Sequence, residues 1–245
     1  MNRATTGPLV RLVQAARDRK LFQRDRFPLE LKAEACLLYH RGLSLRKVAA
    51  HFGHKFCAET VRNWMRRLSL LFNYLGDQHD IIVVDETTLH RGRRNVEKVT
   101  AYRTKGRGRT WRAKMTVVRH APPTHVLWVG IDARTLHVVG LRLGRVQTAE
   151  DCYEFLAEVR HRSRTDPFIV HDRGMWYRKQ PNLLGLRHEQ VRGGIRSRIE
   201  CWNRQLKHRL DGFWRCWTPN TTPESMEIWL RSYAVLWNLT HPERA

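Results

Sequence analysis

Two aspartates stand where a carboxylate is costly. Asp85 closes the run "IIVV" and Asp172 closes the run "FIVH", and runs of this length and β-branched content read as buried strands. An uncompensated charge buried there would cost several kcal/mol, so each aspartate needs a cation, a metal or hydrogen-bond donors. Glu200 is the third acid of interest. It sits within residues 193–215, where Ile195, Ile199, Trp202, Leu206 and Leu210 recur at spacings of 4, 3, 4 and 4, a helical stripe. Asn203, Arg204 and Lys207 follow at three, four and seven positions, on Glu200's own side of that helix. If this side faces the strand ends, three carboxylates meet beside basic groups and require a positive ion between them. Two Mg²⁺ or Mn²⁺ ions about 3.5–4 Å apart meet that need. They also perform phosphodiester chemistry, one activating the attacking water or 3′-hydroxyl, the other stabilising the departing oxygen. Two further acids are alternatives as ligands. Asp132, before "ART", reads as a hairpin-turn residue, and Glu86 points away from Asp85 if the strand continues.

The substrate such a site implies agrees with the charge. Among 245 residues, 45 Lys and Arg face 23 Asp and Glu, a formal net charge of +22, which attracts polyanions and nucleic acid above all. The five cysteines, Cys36, Cys57, Cys152, Cys201 and Cys216, include no CxxC pair. They read as small buried apolar residues in a reducing compartment. No apolar stretch approaches 18 residues and the start carries no signal-like run, so the expectation is a cytoplasmic, nucleoid-associated protein with no membrane partner.

The elements that must position these acids form two modules. Residues 28–72 break into three short helices: one bearing Leu31, Ala35, Leu38 and Tyr39 and stopped by Gly42, one capped by Ser44 and closed by Gly53, and one from about Ala58 with Val61, Trp64, Met65 and Leu68 inward. Three helices in this order describe a small all-α helix-turn-helix domain. Its third helix offers Thr60, Arg62, Asn63, Arg66 and Arg67 to a DNA major groove. From residue 77 to 215 the pattern turns to strands. The densely basic stretch 91–112, with Arg91, Arg93, Arg94, Lys105, Arg107 and Arg109, reads as a hairpin or loop against a phosphate backbone. "AKMTVVR", "HVLWVGI" and "LHVVGLRL" then read as strands, followed by a helix capped by Thr148 and the strand "DPFIVHD". Antiparallel hairpins followed by an αβ unit and another helix match an α/β fold of ribonuclease H-like type, a mixed sheet with flanking helices. Residues 1–27 form a basic arm or short helix. In 216–245 a Thr222 cap and Pro223 begin an apolar helix that packs on the sheet domain or at an interface.

The segments "VVDET", "IVHDRG" and "RSRIECWNRQLKHRL" resemble the three parts of the acidic triad of DDE transposases, with Asp85, Asp172 and Glu200 in the triad positions. "LYHRGLSLRKVAAHFGHKFCAETVRNWMRRL" is similar to the helix-turn-helix of small transposases in the sixth insertion-sequence family and its archaeal relatives, and the resemblance spans about residues 28–240. It implies a catalytic domain of retroviral-integrase type that binds two divalent cations, cuts terminal inverted repeats to expose 3′-hydroxyls and joins them to target DNA. It also implies that Lys207 approaches the transferred DNA end. The chain departs from the family in the interval from Asp172 to Glu200, 200 minus 172 or 28 residues, shorter than is usual. A non-catalytic DNA-binding regulator and a nuclease of the same fold are the rival readings. Because two element ends must be held together, a homodimer or larger assembly on DNA is expected.

Overall fold

The computed structural model describes residues 7–22, 26–73, 79–89, 95–105, 109–119, 125–163, 166–212, 217 and 220–241. Four helices come first: α1 (Pro8–Asp18), α2 (Leu29–His40), α3 (Leu45–His51) and α4 (Ala58–Leu68). Ser44 accepts a hydrogen bond from the Lys47 N–H and caps α3, while Gly42 and Gly53 take positive φ where α2 and α3 end, as their positions in sequence require. The one-sided face expected for α2 is too narrow. Ala33, Ala35, Cys36, Leu37 and Tyr39 are all buried, because α1, α3, α4 and the last helix surround it.

The strands are β1 (Ile81–Leu89), β2 (Asn95–Lys105), β3 (Arg109–Arg119), β4 (His125–Asp132), β5 (Val138–Gly144), β6 (Phe168–His171) and β7 (His188–Gln190). Five of them form one sheet in the order β5-β4-β1-β6-β7. β4 runs antiparallel to β1 and to β5, whereas β6 runs parallel to β1 and to β7. This is the expected ribonuclease H-like mixed sheet. One expected member is absent from it: "AKMTVVR" belongs to β3, which pairs with β2 in a separate hairpin. β1 instead pairs directly with β4 over eight residues. A strand reading "RTWRAKMTVVR" carries too many cations for a position covered on both faces. The short β7 supplies the fifth strand.

The side-chain alternation of β1 sorts the core into two layers. Ile82 and Val84 face α5 (Ala149–Ser163) with Phe155, Leu156 and Val159. Val83 and Leu89 face α7 (Ser197–Gly212) and α8 (Pro223–Thr240), whose Ile199, Trp202, Leu206, Leu230 and Leu236 are buried. The helical segment α1–α4 joins this second layer in one continuous apolar core. α8 ties the pieces together: Ser232 donates to the Met65 carbonyl at 2.6 Å, and Asn238 exchanges two hydrogen bonds, 2.8 and 3.0 Å, with Val138 on the edge strand β5. Met226, Leu230 and the residues from Ser232 to Leu239 are buried within the chain, so this helix packs on the sheet domain, while Ile228 and Trp229 remain partly exposed. No helix among the described residues is long and apolar enough to cross a membrane.

α5 lies close against β5 because Gly140 carries no side chain. A Cβ there would fall 2.4 Å from Val159 Cγ2, and Val159 has no flexible reach with which to retreat. Gly140→Ala should therefore lower unfolding free energy by about 1–3 kcal/mol, read from the urea midpoint. An unchanged midpoint would show that α5 is free to shift.

Candidate active site

The register of β1 and β6 brings the two aspartates together. Val83 pairs with Val170 at the last rung of the parallel ladder; Asp85 lies two residues further along β1, on the Val83 face of that strand, and Asp172 is the first residue past the end of β6. β6 ends at His171 while β1 continues to Leu89, so Asp85 is mid-strand beside an unpaired edge. An edge opening at the carboxyl end of parallel strands is where open α/β sheets place ligands. Asp172 is held by its own turn, its Oδ1 accepting the Gly174 N–H at 2.6 Å.

α7 completes the site from above. Asn203 Nδ2 donates to Asp85 Oδ2 at 3.1 Å, which turns Glu200's side of the helix toward the strands. Asp85, Thr87, Glu200, Asn203, Arg204, Lys207 and His208 line one cleft of about 530 Å³. Glu200, Arg204 and Lys207 are exposed along it. Arg196, one turn before Glu200, sends a single guanidinium nitrogen between the two aspartates, 3.6 Å from Asp85 Oδ1 and 3.5 Å from Asp172 Oδ2.

The electrostatics follow from this crowding. Burial lifts the Asp85 carboxyl to about 6; Arg196 opposes the shift, and Asp172 and Glu200 add to it. The full convergence of three carboxylates is not reached: among the described residues no three His, Cys, Asp or Glu side chains are grouped to hold a metal ion. Asp85 and Asp172 share Arg196, and Glu200 stays on the exposed flank of α7. The donors present still suit a hard divalent cation. They are carboxylate oxygens, joined by Asn203 Oδ1, which is buried with no hydrogen-bond partner, and oxygen-only sets favour Mg²⁺ or Mn²⁺ over softer metals.

The alternative acids are accounted for elsewhere. Asp132 is a turn residue, as expected, and its carboxylate is saturated by Arg134 N–H, Thr135 N–H and hydroxyl, and His79 Nδ1. It pairs with Ile82 at the far end of β1, which removes it as a substitute ligand. Glu86 lies on the opposite face of β1 from Asp85, accepting from Tyr177 OH at 3.1 Å and Gln147 Nε2 at 3.3 Å. Burial pushes it up to about 7 against the Tyr177 hydrogen bond.

On α4, Arg62, Asn63, Arg66 and Arg67 are exposed, opposite the buried Val61, Trp64, Met65 and Leu68. Arg62 pairs with Glu59 of the same helix. Thr60 is half-buried, its hydroxyl 3.3 Å from Cys57 Sγ, so it is drawn to the helix start. Arg91, Arg93, Arg94 and Arg107 lie outside the described residues; Lys105 and Arg109 pair at the end of the β2–β3 ladder. The cysteine expectation holds for Cys36 and Cys152, which are buried, and fails for Cys57 and Cys201, which are exposed: the first precedes α4 and the second lies on the outer face of α7. Cys216 lies outside the described residues. Reading the sequence missed Arg196, Thr87 and His208. Helical and strand periodicity contains them, since Arg196 is four residues before Glu200, His208 eight after it, and Thr87 two after Asp85.

No protein-family model matches the chain. An uncharacterized protein of Methanocaldococcus jannaschii is 25% identical over 224 residues, covering 90% of this chain and 91% of that protein. Among solved structures, the chain is similar to the simian T-cell lymphotropic virus intasome in complex with PP2A regulatory subunit B56 gamma (TM-score 0.43, 14% identity, 86% of this chain and 75% of that chain). It is also similar to the Mos1 strand transfer complex (TM-score 0.40, 13% identity, 85% of this chain and 74% of that chain).

Proposed function

We propose that this protein is a DNA transposase that cuts phosphodiester bonds at the ends of a mobile element and transfers the exposed 3′-hydroxyls to target DNA. The observation that carries the reading is the pairing of β1 with β6, past whose end Asp172 comes close enough to Asp85 for one Arg196 nitrogen to reach both, with α7 held over Asp85 by Asn203. In our reading Asp85, Asp172 and Glu200 hold Mg²⁺ or Mn²⁺, two ions per site. Such ions, when bound, supply activation of the attacking oxygen and neutralise charge on the departing one. The chain's own groups do the rest. Asn203 orients the Asp85 carboxylate through its hydrogen bond. Arg204 and Lys207 bring positive charge along the cleft to the DNA phosphates, with Lys207 next to the transferred end.

We read α2–α4 as a helix-turn-helix domain and the exposed face of α4 as the reader of the terminal inverted repeat. The basic segment 91–112 adds affinity that does not depend on sequence. Replacing Arg62 and Asn63 by alanine should erode discrimination between repeat and random duplex by about 1–3 kcal/mol for each base edge no longer read, measured by competition binding. Equal discrimination in the variant would move sequence reading away from α4.

Incubating the protein with a labelled duplex of its own element end and Mg²⁺ or Mn²⁺ tests the whole reading. Joined products support transposition, and cleavage without joining indicates a nuclease. Binding alone indicates a regulator that reads DNA without cutting it, a second reading favoured by the placement of Arg196 between the two aspartates and by the exposure of Glu200. Light scattering of the same mixtures should show two or more chains per pair of ends, since one chain carries one site and one reading module. A single chain holding both ends would contradict that assembly.

A further inference from the structure

Arg196 is a cation placed in the middle of a site that the reading above assigns to a metal. Its side chain is only 16% exposed, and one terminal nitrogen reaches Asp85 and Asp172 at 3.6 and 3.5 Å. This is charge without good geometry. A guanidinium bound for its own sake presents two parallel N–H groups to a carboxylate at about 2.7–2.9 Å; here each carboxylate meets a single nitrogen at a longer distance, and the buried Nε has no hydrogen-bond partner. Removing the cation that the pair shares would leave two carboxylates, one on β1 and one just past the end of β6, close together without a counter-ion, which is strongly unfavourable. So the arginine neutralises the pair yet is held loosely enough to leave.

The backbone provides a way out. Arg196 follows Gly193 and Gly194, at φ 73° and 61°, and a Cβ at either would meet nothing within 4 Å. Two successive glycines in the left-handed region, in open space, let this short segment change direction at little steric cost.

We infer that Arg196 is a built-in counter-ion that competes with divalent metal for Asp85 and Asp172, so that metal enters as the guanidinium withdraws. The inference rests on the metal reading proposed above. It makes the metal-free protein a stable resting form and sets a threshold on metal binding. A ligand able to draw the guanidinium away, such as a phosphodiester, would lower that threshold by linkage.

Two measurements on the full chain, with Mn²⁺ as the only added ligand, decide it. In calorimetric or electron-spin titrations, Arg196→Gln should bind Mn²⁺ at least about tenfold more tightly than the parent, because a positive charge a few ångströms from the ion has gone. Arg196→Lys, which keeps the charge, should stay within about threefold, as should Arg178→Gln, which removes an exposed charge outside the cleft. In the unmodified protein, labelling of Arg196 by a dicarbonyl reagent, followed by mass spectrometry, should rise when Mn²⁺ saturates the site. This second measurement needs no variant to fold. Unchanged Mn²⁺ affinity in Arg196→Gln, an equal gain in Arg178→Gln, or labelling indifferent to Mn²⁺ would each overturn the competition while leaving the metal site standing. No Mn²⁺ binding by parent or variant would overturn the metal reading itself, and this inference with it.

Discussion

Asp172→Asn is expected to abolish cleavage and joining of a labelled DNA end while leaving DNA affinity within about twofold. An asparagine oxygen can still accept the Gly174 N–H that shapes the turn, so the local fold survives. What disappears is a charged oxygen donor at the site. If Asp172 holds a divalent cation as proposed, its loss removes several kcal/mol of charge stabilisation, and each 1.4 kcal/mol is tenfold, so the rate should fall by about 10³-fold or more. Binding depends on a net charge of +22 spread over the chain and scarcely notices one unit. Asp85→Asn and Glu200→Gln should behave alike if the three act as one unit. Retained cleavage in Glu200→Gln would remove Glu200 as third ligand, and parallel losses of DNA binding in all three would show that they support the fold instead.

The second large effect is on stability. Burial holds the Asp85 carboxyl up at about 6, against an ordinary 3.8, so between these values the folded chain binds more protons than the unfolded one. Stability from this group is therefore full below about 4 and is lost as pH rises through about 6. Glu86, raised to about 7, has the same sign and extends the decline toward neutrality. At pH 8 the ionised Asp85 is a liability, and Asp85→Asn should raise the unfolding free energy by an amount on the order of 1–3 kcal/mol. At pH 4 the gain should vanish. Mg²⁺ should stabilise the parent at pH 8 and do little for the variant, since a bound cation replaces what protonation supplied. Thermal melts at the two pH values, with and without Mg²⁺, check this. A variant that is less stable than its parent at pH 8 would mean that the Asp85–Arg196 pair outweighs the cost of burial.

The tension between these two expected effects has a simple origin. A carboxylate useful for holding a metal must be buried beside other carboxylates, and that is the arrangement a folded chain tolerates least without the cation. Arg196 moderates the cost, as the opposing direction of its influence on Asp85 shows.

The features written in short stretches of the chain are caps, strands and helical stripes. The caps at Ser44, Thr148 and Thr222 are hydrogen bonds spanning three residues, so they are written wherever a hydroxyl residue precedes a helical stripe. The strands that carry Asp85 and precede Asp172 were legible because β-branched runs leave few other conformations open, although β1 runs on past Asp85 to Leu89, and α7 because its stripe has one period throughout. Even the separation of Asp85 from Glu86 follows from a strand's two-residue repeat.

Which of these elements meet is a property of the packed molecule. Composition suggested that "AKMTVVR" would join the sheet, but strand pairing is a contest between distant segments, and β4 occupied that edge of β1. Helix α2 carries an apolar stripe that looks one-sided until three neighbouring helices and α8 close around it. α8 is tied to β5 through Asn238 and to α4 through Ser232, contacts that span 100 and 167 residues. Arg196 was invisible as a partner of Asp85 and Asp172 because nothing within a turn of helix specifies a meeting across 111 and 24 residues. Such meetings are selected by the packing of whole layers, whose energy is shared among many apolar side chains and belongs to no short segment.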